Sequence, residues 1–124
     1  MSVDKFLEHL EFYGYQAEKD EDGDWLLTRD RYPRKILCRS GAQGFNFSIG
    51  FSTDEVHLGL EKLNKLNNEF WLGKVSNIDD DVISYEAWTP SIYNKEAFAI
   101  FFERFMKEQG TFVEALLEAN DKDK

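Results

Sequence analysis

The chain carries one cysteine, Cys38, so neither an internal disulfide nor a multi-cysteine zinc site can form. It has two prolines, Pro33 and Pro90, and two histidines, His9 and His57. Bases are also scarce: 15 Lys and Arg stand against 24 Asp and Glu, for a net charge of -9 and a pI near 4.7. That balance argues against general binding to a phosphate backbone, which needs clustered cations. No apolar run approaches the roughly 20 residues that span a bilayer. The N-terminus, Met1-Ser2-Val3-Asp4-Lys5, alternates charge with apolar residues and lacks the core of a secretory signal. The expectation is therefore a protein of a reducing, cytoplasmic compartment, without membrane contact. The glycosylation pattern Asn46-Phe47-Ser48 then reads as chance.

What the chain has in plenty is aromatic and charged residues. Within 124 residues and 14.5 kDa, 15% are aromatic and 31% charged. This length makes one domain, read as residues 1–120 with a charged tail at 121–124. Val3, Phe6, Leu7 and Leu10 share a helical face, with Ser2 as the cap and Gly14 as the stop. Tyr15 to Lys19 and Asp24 to Arg29 read as strands around the turn Asp20-Glu21-Asp22-Gly23. Arg31-Tyr32-Pro33 reads as a break, and Lys35 to Ser40 as another strand. In Phe45 to Ser52, Phe45, Phe47, Ile49 and Phe51 alternate with small polar residues, the pattern of a half-buried strand. A second helix is expected from the cap Thr53 to about Phe70. Strands follow at Trp71 to Ile78 and Val82 to Trp88, ended by Thr89-Pro90. The last helix starts after Asn94 with the stripe Phe98, Phe101, Phe102 and Phe105, and Gly110-Thr111 reads as an interruption. Tight turns make neighbouring strands antiparallel. The expected architecture is α+β, an antiparallel sheet of five or six strands with helices packed on one face, in the order α-β(3-4)-α-β-β-α.

Candidate chemistry is sparse. Glu18, Asp20, Asp22 and Gly23 imitate the start of a calcium loop, but the position of its bidentate acid holds Arg29. Asp79-Asp80-Asp81 reads as a solvated turn whose like charges discourage edge pairing. Cys38 sits in an apolar strand, where an inert thiol is usual. No motif joins it to a histidine as nucleophile and base, so no catalytic residue, metal or cofactor is expected. Between Arg31 and Ser52 stand four bases (Arg31, Arg34, Lys35 and Arg39) and no acid. They form the one stretch suited to an acidic partner or RNA.

The segment Leu63-Asn64-Lys65-Leu66-Asn67-Asn68-Glu69-Phe70-Trp71-Leu72-Gly73-Lys74-Val75 resembles the YbjN-like family, labelled bacterial sensory-transduction regulators. There, as here, an Asn-containing helix runs through an aromatic and a Gly into a strand. An acidic turn, a second strand ending near Pro and a final helix follow. The start at Gly14-Tyr15 and the turn Asp20 to Asp24 fit the same pattern, so the resemblance spans nearly the whole chain. The stretch Thr89 to Tyr93 departs from it, being less acidic and more aromatic. The resemblance implies a fold similar to type III secretion chaperones, which are small, acidic and usually dimeric and bind extended segments of other proteins. It brings no catalytic residues.

The reading is a non-catalytic protein-binding domain, chaperone-like or a regulatory adaptor, acting as a homodimer on a protein or peptide partner. The alternative is a regulator that binds nucleic acid through Arg31 to Arg39, and a third reading is an enzyme using Cys38. The Phe98 to Phe105 stripe is expected in the core, against the Phe45 to Phe51 face. Trp88, Tyr93, Phe112 and Leu116 lie around the two ends of the last helix, where core demand is weakest. They are the expected interaction residues.

Overall fold

A computed structural model describes residues 3–30, 32–41, 43–52, 58–78 and 82–121. Helix α1 (Asp4–Phe12) buries Phe6 and Leu10. It closes with the N–H groups of Tyr13 and Gly14 donating to Leu10 and Glu11 carbonyls, and Gly14 takes φ +95°. A left-handed residue at that position favours glycine. Ser2, the expected cap, lies outside the described residues, and Val3 holds the N-cap position without a side-chain cap bond.

Strands β1 (Tyr15–Lys19) and β2 (Trp25–Arg29) pair as a hairpin. In its turn the Asp20 carboxylate accepts from the backbone N–H groups of Asp22 and Asp24, at 3.0 and 2.9 Å. This is the local bonding that makes Asp a turn residue. Strand β3 (Tyr32–Gly41) corrects the expected break, since it runs through Pro33. Between the pairs Leu27↔Ile36 and Arg29↔Tyr32, Thr28 alone lies opposite residues 33–35. A bulge of this kind accommodates a residue that has no N–H to donate. Strand β4 (Gly44–Ser52) returns from a tight turn in which Gln43 takes φ 63°.

Helix α2 (Leu60–Glu69) starts later than expected, after Gly59 in an extended conformation. Thr53 to His57, the expected cap and first turn, lie outside the described residues, as does Asp79 to Asp81. Strand β5 (Lys74–Ile78) also starts late, because the backbone of residues 71–73 bends toward α3. Strand β6 (Val82–Pro90) continues through Thr89 and ends with Pro90 opposite Gly44. Helix α3 (Lys95–Asp121) is capped by Asn94, whose Oδ1 accepts from Ala97 N–H at 2.9 Å. It is unbroken at Gly110. A mid-helix glycine costs only about 1 kcal/mol, and the burial of Phe112, Val113 and Leu116 beyond it outweighs that.

The sheet is antiparallel throughout, in the order β1-β2-β3-β4-β6-β5. The registers place Tyr15, Leu27, Ile36, Cys38, Phe47, Ala87, Tyr85 and Val75 on one face, and all are buried. The buried residues of all three helices join them in one core, so the helices cover that face alone. The expected stripe packs as anticipated. Phe98, Phe101, Phe102 and Phe105 surround Phe47 with ring centroids 5.5 to 6.4 Å away. Phe112 and Leu116 were expected outside the core and lie within it, 0% and 2% exposed. The continuous helix carries them onto the sheet, where the Phe112 ring meets Phe51 and Tyr85.

Candidate binding groove between the first and last helices

A groove of about 610 Å³ lies between α1 and the start of α3. Its walls are Phe12 and Tyr13 on one side, Tyr93 and Ala99 on the other, with Lys5, Glu8, Lys95 and Glu96 around them. Phe12 is 87% exposed. The spacing that buries Phe6 and Leu10 turns it outward on the same helix.

His9 forms part of the lining and ties its sides together. Its Nδ1 lies 2.8 Å from Tyr93 Oη, and its Nε2 lies 2.8 Å from Tyr13 Oη. A neutral imidazole has one donor and one acceptor nitrogen, so one tyrosine donates and the other accepts. The ring also packs edge-on against Phe98, with centroids 5.0 Å apart. Burial, and next the Lys95 ammonium, hold the His9 pKa below its usual value. His9 is thus a half-buried bridge between the two walls. Its partner Tyr93 stands 84 positions away, and no local periodicity signals such a contact.

Among the four expected interaction residues, Tyr93 alone lines this groove. Trp88 is 49% exposed on the sheet face opposite the helices, with its ring over Gly44. Phe112 and Leu116 are core. The structure therefore does not gather the four into one surface.

A second arrangement lies at the far side of α3. Glu108 is buried, and its carboxylate accepts from the N–H groups of Trp71, Leu72 and Gly73 and from the Tyr85 hydroxyl, over 2.8 to 3.3 Å. Burial first, then the hydrogen bond to Glu108, push the Tyr85 pKa far above its usual value. The bend so fixed presents Trp71, 90% exposed. The expected strand start at Trp71 is corrected here: its backbone serves the carboxylate instead of the sheet.

Cys38 is buried on the core face, where burial, and next Asp24, push its thiol up to about 12. Arg39 is exposed beside Asp24, with Nε 3.7 Å from a carboxylate oxygen. Lys35 is exposed, Arg34 is half-buried, and Arg31 lies outside the described residues. Among the described residues no three His, Cys, Asp or Glu side chains group as metal ligands, and no helix is long and apolar enough to cross a membrane.

No family model matches the sequence, and no curated protein is significantly similar to it. Among solved structures, the chain is similar to YbjN from E. coli, for which a role as a transcription regulator has been suggested. The superposition covers 99% of this chain and 94% of that one, with a TM-score of 0.69 at 14% sequence identity. At that identity the likeness is one of fold. The arrangement of a six-stranded antiparallel sheet and three helices in the order α-β4-α-β2-α is the YbjN-like fold.

Proposed function

We propose that the chain is a non-catalytic protein-binding domain, chaperone-like or a regulatory adaptor, that takes an apolar side chain of a partner segment into the α1–α3 groove. The observation that carries this reading is the exposed Phe12 beside an aromatic-walled groove, tied together by the Tyr13–His9–Tyr93 hydrogen bonds. Its volume falls in the range of sites that hold compact ligands or anchor side chains. Buried aromatic anchors supply most of the energy of such interfaces, and a prebuilt wall lowers the ordering cost of binding.

The absence of catalysis is supported by chemistry. Both His9 nitrogens are engaged by tyrosines, and the Cys38 thiol is buried and held protonated. Reactive cysteines instead have lowered pKa values and open access. The alternative reading, nucleic acid binding through Arg31 to Arg39, draws support from the regulatory role suggested for YbjN. Against it stand the net charge of -9 and the Asp24 carboxylate beside Arg39.

Selection of a random peptide library on the purified chain tests the proposal. Selected peptides should carry an aromatic or large aliphatic anchor, and should lose affinity for Ala99→Trp, which fills the groove. Unchanged binding to a folded Ala99→Trp protein would remove the groove from the function. A salt-dependent shift of RNA or DNA, abolished by Arg39→Glu, would instead favour the alternative.

A further inference from the structure

Helix α3 has two flanks beside the face it buries. One carries Lys95, Ala99, Phe102 and Met106 and lines the hollows beside Tyr13. The other carries Ala115 and Ala119, which lie with Lys62 of α2, and Glu108, which holds the bend after α2. Helix α2 therefore runs antiparallel beside α3, from Ala119 back to Glu108. Toward the start of α3, and outward from this second flank, stand Ala97, Ile100, Arg104, Lys107 and Thr111. Their alternating steps of three and four residues put them on one helical face. All five are exposed, and none is an acid.

In a chain with 24 acids against 15 bases, this face is a local reversal of sign. Arg104 and Lys107 make no ion pair among the described residues. Glu108, one turn after Arg104, already accepts from four donors. The Arg104 charge reaches the Tyr85 hydroxyl at that carboxylate and opposes the rise of its pKa, so the guanidinium stands close to the bend. Glu103 turns to the other flank, into the hollow beside Tyr13. On the α2 side, exposed Glu69 is offset by exposed Lys65, one turn earlier. Apolar surface completes the face: Ile100 is 70% exposed within it, and Trp71 is 90% exposed beside it. Three consecutive N–H groups bound to one buried carboxylate hold the Trp71 backbone, so presenting the indole needs no further ordering. Trp and Arg are the residue types most enriched among those that dominate binding energy.

We propose that this face of α3, with Trp71 beside it, docks an acidic, partly apolar peptide segment of a partner protein. Apolar side chains of the segment cover Trp71 and Ile100. Its carboxylates meet Lys107 and Arg104, whose guanidinium can form two parallel bonds. The acidic remainder of the chain repels such a segment, so charge directs it to this face. An anionic bilayer would meet far more of the molecule at once, and the net charge of -9 opposes that. The site lies across α3 from the groove beside α1 and does not depend on what that groove binds.

The probe is a short fluorescein-labelled peptide of Glu, Leu and Phe, compared with the same peptide carrying Gln for Glu. Fluorescence anisotropy with the full chain should show the acidic peptide bound about tenfold tighter or more. Removing both charges, in the double variant Arg104→Gln with Lys107→Gln, should weaken it about tenfold. Trp71→Ala should weaken it by as much. Ala99→Trp, on the opposite flank, should leave it unchanged, which separates this site from the α1–α3 groove. The proposal is overturned by equal affinity for the two peptides, by wild-type affinity in either folded variant, or by loss of binding in Ala99→Trp. Capture of the chain by phosphatidylserine vesicles through Trp71, with no binding of the peptide, would also overturn it. Should Trp71→Ala fail to fold, the Arg104 and Lys107 double variant decides alone.

Discussion

The Tyr85 hydroxyl donates to Glu108 Oε1 across 2.8 Å inside the core, joining strand β6 to the middle of the last helix. The same carboxylate holds the backbone of residues 71–73. A charged acceptor makes this bond stronger than a neutral one. Tyr85→Phe should lower unfolding free energy by about 1.5–3 kcal/mol, read from urea titration. Glu108→Ala should cost more, because it strands several buried donors at once.

Alkaline pH provides a separate reading of that pair. Tyr85 ionises in the unfolded chain near pH 10 but only well above that when folded. Above the unfolded value the unfolded state binds fewer protons, so stability falls as pH rises. The contribution is fully present below about pH 10. Wild type should therefore lose more stability than Tyr85→Phe between about pH 8 and about pH 10.5, with the other ionising groups common to both proteins.

His9 acts at the acid end. Its folded pKa lies below 6.5, so on acidification the unfolded chain takes up the proton first. Stability from this group is present above the unfolded pKa and declines as pH falls through the folded one. Thermal melts at decreasing pH should show a steeper loss for wild type than for His9→Gln. Parallel curves would mean that the imidazole titrates alike in both states.

Cys38 should resist alkylation in the native protein, since it is buried and its thiol titrates near 12. Iodoacetamide at mildly alkaline pH should modify it only as fast as the chain opens. Rapid labelling of folded protein would contradict the burial.

Two neighbouring positions on α3 should separate core from surface. Phe112→Ala, at a fully buried ring, should cost about 3–5 kcal/mol. Leu117→Ala, exposed on the same helix, should stay within about 0.5 kcal/mol. Equal effects in urea titration would refute the continuous helix through Gly110.

Gly44 carries the Trp88 ring so closely that a Cβ there would overlap it. Gly44→Ala should therefore displace the indole and shift its fluorescence while leaving Trp25 and Trp71 unaffected. An unchanged spectrum would show that the ring has room to move.

Where local forces dominate, the sequence was a sound guide. The alternation in Phe45 to Ser52, the Asp20 turn and the helix start after Asn94 each appear where their chemistry places them. Departures arise where a distant residue intervenes. Trp71 reads as a strand start until Glu108, far along the chain, claims its N–H. Gly110 reads as a break until the sheet offers Phe112 and Leu116 a place to be buried. The groove was half legible: Tyr93 stood out as an aromatic in a loop, whereas His9 lacked any sign of its two tyrosine partners. Trp88 was expected outside the core, and its face of the sheet depended on pairing with β4.

The His9–Tyr93 bond joins the first helix to the entry of the last, so the groove walls meet only once both helices lie on the sheet. Phe6 reinforces this, touching Phe45 of the sheet and Phe98 of α3 at once. A ligand that binds there to the folded chain and not to the unfolded one would raise the melting temperature of the whole molecule, and go on raising it with the logarithm of its concentration after the site is full. Fraying of α1 alone would erase the site while leaving the six strands paired. Groove and fold thus share one nine-residue helix, which gives Phe6 and Leu10 to the core and Phe12 to the groove wall.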